Sequence, residues 1–323
     1  MNRALVRIEA ESREVGPLAA VAETAREFMR NAKAPHTIRA YDSDWKHFTA
    51  WCASHRLVAL PAAPGAVTLY LSALADTHKA STLTRRLSAI SQAHQLAGVE
   101  APTAAVEVRT LMAGIRRTKG TAPDTKTPVL TADLRAMLAK LPARLLGIRD
   151  RALLLVGFAG AFRRSELVGL NVEDCEFTSD GLVVVLRRSK TDQGGEGRKI
   201  GVPFGSNPGT CPVHALRAWL EASGIAEGPI FRYVNRHGQV QAGRLSSYAV
   251  ALVVKRHAAA IGLEAAKYAG HSLRAGLATS AAIAGAPERS IMNQTGHRSV
   301  GMVRRYIRDG SLFRENAASW VGL

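Results

Sequence analysis

The chain has 323 residues, of which 47% are hydrophobic, and 43 Lys and Arg face 26 Asp and Glu, a formal net charge of +17. This length favours two domains with ordinary apolar cores, and no apolar run predicts a signal peptide or a membrane anchor. Up to residue 126 there are 17 Lys and Arg against 11 Asp and Glu, and beyond it 26 against 15. Because the excess is spread over the whole chain, a polyanionic partner such as nucleic acid is favoured over a basic surface without a partner.

The three cysteines are odd in number and widely spaced, and no CxxC or Cys/His cluster occurs. Neither a disulfide framework nor a zinc site is therefore predicted, and a reduced, cytoplasmic setting fits. The sequence has no acidic cluster that would hold a metal pair and no Gly-rich phosphate loop of the nucleotide-hydrolysing kind. We expect no metal and no cofactor.

The first part of the chain predicts a small helical domain over 21–117, preceded by a flexible leader at 1–20. Its clearest helix starts after Pro35 and carries an aromatic stripe at helical spacing, which indicates a face turned to the core rather than a base-stacking surface. Further helices are predicted from Ala66, from Ser81 and from Val106. The stripe consists of Tyr41, Trp45, Phe48 and Trp51.

The helix that begins near Ser81 carries a candidate DNA contact. Its spacing predicts an inner apolar face and leaves Thr82, Arg85 and Arg86 outward near the helix start. Hydroxyls and arginines at a helix N-terminus suit a phosphate backbone or the major groove. An ordinary charged surface explains the same pattern equally well.

A segment rich in Thr, Lys, Gly, Pro and Asp over 118–129 predicts a linker, and the second domain then occupies 130–323. A very apolar helix is predicted over 148–160, and β-strands over 172–177, 182–187 and 198–202 with Gly-containing turns. Helices are predicted again over 211–222 and 245–261. A short helix at about 311–320, with apolar Leu312, Phe313 and Trp320, either docks on a neighbouring subunit or folds back on its own domain.

The residues suited to chemistry are Arg163 at the end of the apolar helix and a set nearer the C-terminus. His271 and Arg274 stand three positions apart on a predicted helix, so both side chains reach the same spot. His297 follows a glycine, and Tyr306 lies on a short predicted helix. Each of these residues alone has an ordinary structural explanation, so the argument depends on their joint occurrence.

Together these residues suit the transfer of a phosphodiester. Two arginine forks can hydrogen-bond the non-bridging oxygens and stabilise a pentacoordinate transition state. A tyrosine with a free pKa of about 10 needs a base, and either His271 or His297 could accept its proton. Lys190, in a predicted hairpin loop, suits a general acid for the leaving 5′ oxygen. A covalent intermediate would conserve the bond energy, so ATP is not required.

With these motifs the chain resembles the tyrosine recombinase (phage integrase) family. Its members carry an Arg-x-Ser-Glu-Leu motif, then His-x-Leu-Arg, then Gly-His, and finally the nucleophilic tyrosine. In this chain the motifs occur in the same order and with a similar spacing along the sequence. The matching positions are 163–167, 271–274, 296–297 and Tyr306.

Lys190 matches the hairpin lysine of the family, and Lys199 lies nearby as an alternative. Some members have a tryptophan where this chain has His297, and many have a bulkier pair than Ala275-Gly276, without an evident catalytic consequence. The resemblance extends from the helix after Pro35 to the end of the chain.

The resemblance implies a mostly α, two-domain fold: a helical core-binding (SAM-like) domain and an α+β catalytic domain with a small antiparallel sheet, clamped around DNA. It implies a site-specific DNA recombinase that forms a 3′-phosphotyrosine and a Holliday junction. The partners would be double-stranded DNA with an inverted-repeat site and three further protomers in a homotetramer, with the terminal helix docked on the next protomer. The setting would be the nucleoid.

Two other functions fit parts of the pattern. A telomere resolvase or type IB topoisomerase would use the same chemistry, but the compact two-domain layout argues against them. A DNA-binding protein that has lost catalysis would have no reason to retain all six residues.

Overall fold

A computed structural model describes residues 32–122, 125–187 and 197–297, together with residues 21, 23–24, 27–28, 299–301, 303–304, 306 and 321. The chain divides into two compact units, of which the first ends at Asp124 and the second begins at Thr125. The predicted leader at 1–20, the terminal helix at about 311–320 and Lys190 lie outside the described residues. In the described part of the chain, no helix is both long enough and apolar enough to cross a membrane.

The first unit is built from helices around one apolar core. Two of them begin with a proline, whose fixed φ and missing N–H suit the first turn of a helix. Phe48 is fully buried while Trp45 and Trp51 pack against the same core, so these three members of the aromatic stripe face inward as predicted, and Tyr41 is half-buried. The helices are α1 (Pro35–Ser54), α2 (Pro64–Ala75), α3 (Ala80–Leu96) and α4 (Val106–Lys119), with a 3-10 turn at Pro102–Ala104.

The second unit combines helices with two small antiparallel sheets, which confirms the predicted fold class. β1, β2 and β3 are adjacent in that order, with Val184 opposite Ile200, and β4 pairs with β5. The elements are α5 (Thr131–Ala139), α6 (Leu145–Ala159), α7 (Arg164–Gly169), β1 (Cys175–Phe177), β2 (Gly181–Leu186), β3 (Arg198–Pro203), α8 (Pro212–Ser223), β4 (Arg232–Val234), β5 (Val240–Arg244), α9 (Ser247–Ala260), α10 (His271–Ile283) and α11 (Glu288–Thr295).

The apolar helix α6 lies at the centre of this unit. Its residues 152–156 are buried, and it packs against α8, α10 and α7. Four of the groups predicted to act in chemistry lie at the ends of these helices: Arg163 lies between α6 and α7, His271 and Arg274 lie in the first turn of α10, and His297 follows α11. The rigid core therefore holds those groups from several sides.

The first predicted strand is shorter in the structure. Residues Val172–Asp174 form a 3-10 turn, and the strand begins only at Cys175. The carboxylate of Asp174 accepts a hydrogen bond from the backbone N–H of Asn171, at 3.0 Å. Such local side-chain bonds favour a turn over a strand ladder, which explains the difference.

A glycine lets α10 approach the segment that precedes α5. A Cβ built at Gly276 would lie 1.9 Å from the carbonyl oxygen of Val129 and 3.1 Å from Phe158. In the same contact the N–H of Val129 donates to the carbonyl of Ser272, at 2.9 Å. The small pair at 275–276 thus allows close backbone packing beneath Arg274.

We expect Gly276→Ala to lower the free energy of unfolding by about 1–3 kcal/mol, because the methyl group would force the Val129 backbone away. Urea unfolding followed by circular dichroism measures this. Gly169→Ala is the control, since nothing lies within 4 Å of a Cβ there, and it should change stability by less than about 0.5 kcal/mol. Equal effects of the two substitutions would show that the close approach is not what matters.

Candidate active site

Arg163 is held in place by the first turn of α7. The carboxylate of Glu166 accepts hydrogen bonds from the backbone N–H of Arg163, at 2.9 Å, and from its guanidinium, at 2.5 Å. Glu166 is buried, and the side chain of Arg163 remains 18% exposed. The carboxylate therefore orients the guanidinium while leaving part of it open to a ligand.

Arg274 is almost fully buried, at 1% exposure, in the first turn of α10. One Nη donates to the carbonyl oxygen of Ala161 at 2.8 Å, and the other lies 3.1 Å from Nε2 of His297. Ala161 has a φ of 49°, a left-handed conformation that costs a non-glycine residue about 1 kcal/mol. Burial and the charge of Arg163 lower the pKa of Arg274 to about 10, so the guanidinium is still charged at neutral pH.

His297 lies in the turn that follows α11. Gly296 ends this helix with a φ of 64°, which a glycine adopts without strain, and its N–H donates to the carbonyl of Met292. The His297 Nδ1 is 2.7 Å from the hydroxyl of Thr295. Burial, and then the charges of Arg274 and Arg163, lower the pKa of His297 to about 4. The imidazole is therefore neutral at physiological pH.

Tyr306 meets the other histidine. Its hydroxyl lies 2.9 Å from Nε2 of His271, and its ring centroid is 5.9 Å from that of His297. Burial and the charges of Arg274 and Arg163 also lower the pKa of His271, although part of its surface faces solvent. A neutral His271 next to a phenol is suited to accept the phenolic proton.

An apolar cluster fixes the segment that carries the tyrosine. Val303 is fully buried one helical turn before Tyr306, against small and aliphatic residues of α10 and α11. Tyr306 itself packs on the same cluster. The cluster consists of Ala278, Ala282, Ile291 and Val303.

The structure thus brings five of the six predicted residues together: Arg163, His271, Arg274, His297 and Tyr306. Lys190 lies outside the described residues. Its alternative, Lys199, is exposed on β3, next to Arg198. Because neighbouring strand residues point to opposite faces, Lys199 points away from the face on which Arg198 approaches Gly296.

Arg198 was missed by the sequence reasoning. One Nη donates to the carbonyl of Asn293 at 3.0 Å and lies 3.5 Å from that of Gln294. Its other Nη is buried and has no hydrogen-bond partner among the residues that the structure describes. Burial lowers the pKa of Arg198. The charge of Glu166 opposes this effect, and the charge of Arg163 adds to it. Arg198 therefore adds a third guanidinium next to the turn that carries His297.

Comparison with known proteins places this arrangement in a family. The model of the phage integrase family matches residues 129–311, and that of the phage integrase N-terminal SAM-like domain matches residues 27–100. The chain belongs to the phage integrase family. The predicted resemblance to tyrosine recombinases is thereby confirmed.

Relatives of this phage integrase family member cover most of its length. An integrase/recombinase XerD homolog of Selenomonas ruminantium is 43% identical over 91% of this chain and 87% of its own. The Cre recombinase of Escherichia phage P1 is 25% identical over 87% and 86%. Among solved structures, a lambda integrase dimer bound to a COC′ core site is similar in fold, with a TM-score of 0.56, 18% identity and coverage of 90% and 94%.

In the SAM-like part of this family member, the predicted outward position of Arg86 is wrong. Arg86 is 8% exposed, and its guanidinium donates to the hydroxyl of Tyr70 at 2.5 Å. Half of the Arg85 side chain is exposed, but its guanidinium donates two hydrogen bonds to the carboxylate of the buried Asp44, at 2.8 and 3.0 Å. Thr82 is half-buried. Helical spacing could not show that a carboxylate of α1 would meet these arginines, and the role of Thr82, Arg85 and Arg86 in DNA binding remains a prediction.

Arg86→Met should destabilise the first unit by about 1–3 kcal/mol, because it removes buried hydrogen bonds and a positive charge near Asp44. Thermal and urea unfolding measure the effect. The matched control is Arg117→Met, at an exposed position of α4. Its free energy of unfolding should stay within about 0.5 kcal/mol of the wild-type value. Unchanged stability together with weaker DNA binding would instead make Arg86 a DNA contact.

The lowered pKa of His297 predicts a loss of stability in acid. Between the ordinary pKa of 6.5 and the folded value of about 4, the unfolded chain binds a proton that the folded chain excludes. Stability should therefore fall as the pH is lowered through this window, by about 1–3 kcal/mol from this group. Urea unfolding at several pH values should show a shallower loss for His297→Gln. The exposed His237→Gln should keep the wild-type slope.

Proposed function

We propose that this tyrosine recombinase cleaves and rejoins DNA at specific sites, with Tyr306 as the nucleophile. The observation that carries the proposal is the 2.9 Å contact between the Tyr306 hydroxyl and His271 Nε2, adjacent to the guanidinium of Arg274. The phenolic oxygen attacks the scissile phosphorus, the bond to the 5′ oxygen breaks, and a 3′-phosphotyrosine results. The phenolic proton passes to His271.

The arginines act on the phosphate. Arg163 and Arg274 hydrogen-bond the non-bridging oxygens and stabilise the negative charge that grows on them in the transition state. Their orientation is set in advance by Glu166 and by the carbonyl of Ala161. Lys190 supplies the proton to the leaving 5′ oxygen. Reversal of the step with another 5′-hydroxyl rejoins the strand without ATP.

The two units divide the work in this proposal. Residues 21–117 form the core-binding domain, 118–129 the linker and 130–323 the catalytic domain, with the C-terminal segment at about 311–320 docking on a neighbouring protomer. Four protomers on two inverted-repeat sites exchange strands through a Holliday junction, in the nucleoid. The DNA-bound relatives support a DNA partner: XerH is bound to palindromic difH and lambda integrase to its core site.

The test is a suicide substrate, a nicked duplex from DNA that flanks the gene, incubated with the protein in the presence of a chelator. We expect a covalent adduct on denaturing gels that disappears in Tyr306→Phe. Arg274→Lys should slow adduct formation by about 10²–10³-fold, because a lysine cannot reproduce the two-pronged contact. The exposed neighbour Arg164→Lys is the control and should react at the wild-type rate.

The proposal fails if Tyr306→Phe forms as much adduct as the wild type. It also fails if no adduct forms on a duplex that the protein binds specifically. In that case an accessory DNA-binding protein without catalysis would be the better interpretation.

A further inference from the structure

Thr295 joins His297 to the end of α11. It is fully buried, two residues before the histidine. Its Oγ1 donates to the carbonyl oxygen of Ile291 at 2.6 Å and lies 2.7 Å from Nδ1 of His297. A hydroxyl has one proton to donate and two lone pairs. Since the proton is directed to Ile291, the contact with His297 is one in which Nδ1–H donates and Oγ1 accepts.

The opposite nitrogen of the ring gives the same assignment. Nε2 of His297 faces an Nη of Arg274 at 3.1 Å. A guanidinium can only donate hydrogen bonds, so Nε2 must present its lone pair. The other neutral tautomer would place two N–H groups against each other at Nε2. Both contacts therefore require the neutral Nδ1–H form.

We propose that Thr295 is a positioning residue that holds His297 as its Nδ1–H tautomer, and that His297 takes up a proton from solvent at Nε2 when a phosphodiester enters the site. The phosphodiester half of this inference rests on the proposed function. The tautomer half concerns the protein without DNA and stands independently of it.

Proton uptake follows from the position of the lone pair. A phosphate oxygen bound between Arg274 and His297 would face a lone pair at Nε2 and be repelled by it. Once Nε2 is protonated, the same atom donates to that oxygen, and Nδ1–H keeps its bond to Thr295. Tautomer exchange would break the Thr295 bond, so protonation is the change that preserves it.

The charges around the ring determine when protonation occurs. Without a bound anion, the guanidinium groups of Arg274, Arg163 and Arg198 oppose a further positive charge, and they reinforce the effect of burial on the pKa of His297. The negative charge of a phosphodiester reverses that balance. Within the described part of the chain, the titratable and charged groups around the ring are Arg274 and His271 of α10, Arg163 and Glu166 at the start of α7, Arg198 of β3, and Tyr306.

The first measurement is a nitrogen-15 NMR spectrum of the DNA-free protein labelled at histidine, at neutral pH. The His297 resonances are assigned by their absence in His297→Gln. We expect a protonated Nδ1 and an unprotonated Nε2 in the wild type and in Thr295→Ser, which keeps the hydroxyl. In Thr295→Val the Nδ1–H loses its acceptor and only the Arg274 contact still favours this tautomer, so we expect the Nε2–H form to appear beside it. A wild-type Nε2–H form, or a Thr295→Val spectrum identical to the wild type, would overturn the inference.

The second measurement adds dimethyl phosphate, a phosphodiester monoanion that brings no titrating proton of its own. We expect both His297 nitrogens to become protonated in the wild type as it is titrated. A ring that stays singly protonated at the highest concentration would overturn the proton-uptake half.

Cleavage of the suicide substrate links the tautomer to activity. We expect Thr295→Val to slow adduct formation by about 10–100-fold, as expected when a partner that orients a functional histidine is lost, and Thr295→Ser to restore it. Thr279→Val removes another buried threonine hydroxyl from the same unit and should react at the wild-type rate. If adduct formation depends on Tyr306 but not on the Thr295 hydroxyl, this inference fails and the proposed function stands. If Tyr306→Phe still forms the adduct, the proposed function fails and the tautomer result is unaffected.

Discussion

The arrangement of the site depends on positive charge that is held away from water. Arg274 is buried, Arg163 and Arg198 are close enough to influence its pKa, and Glu166 is the acidic group that partly offsets them. Like charges in a low-dielectric interior repel strongly unless polar groups compensate them. Here the backbone carbonyls of Ala161 and Asn293 accept hydrogen bonds from Arg274 and Arg198. Because carbonyls carry no full charge, the site keeps a net positive charge that an anion can neutralise.

The same charges set the state of the two histidines. Both have lowered pKa values, first because burial disfavours the charged imidazolium and then because a further positive charge next to the guanidinium groups is unfavourable. A neutral His271 can accept a proton from the neighbouring phenol, and a neutral His297 can accept a hydrogen bond from Arg274. The same positive surroundings therefore keep both imidazoles neutral, and their roles differ because His271 directs its Nε2 to the phenol of Tyr306 whereas His297 directs its Nε2 to Arg274.

The parts of the site that the sequence predicted are those encoded locally. Helical spacing places His271 and Arg274 together, and a glycine before His297 predicts the turn. Arg198 and Thr295 were not predicted, because their importance comes from contacts between β3, α10 and α11. A threonine near the end of a helix is unremarkable until the tertiary fold brings Arg274 to the far side of His297.

In the fold, too, features encoded locally were predicted from the sequence, whereas features that depend on tertiary contacts were not. Strongly apolar segments such as α6, and the aromatic stripe of α1, were predicted because burial leaves a periodic pattern. The β4–β5 hairpin was not, because its polar and glycine-containing sequence has no alternating pattern of apolar residues. The outward position of Arg86 was wrong for a related reason: periodicity identifies a helix face but not the carboxylate of another helix that meets it.

The turn at Gly296 and the buried Val303 constrain the length of the segment that carries Tyr306 during evolution of the sequence. Both ends of the interval from Gly296 to Tyr306 are anchored, one by the end of α11 and the other by the apolar cluster. Each residue added to or removed from a helix rotates the residues after it by about 100°, which would turn the phenol away from His271. Substitutions can accumulate at the positions of this interval other than Gly296, His297, Val303 and Tyr306, but the length of the interval is fixed, so insertions and deletions should be confined to other parts of the sequence.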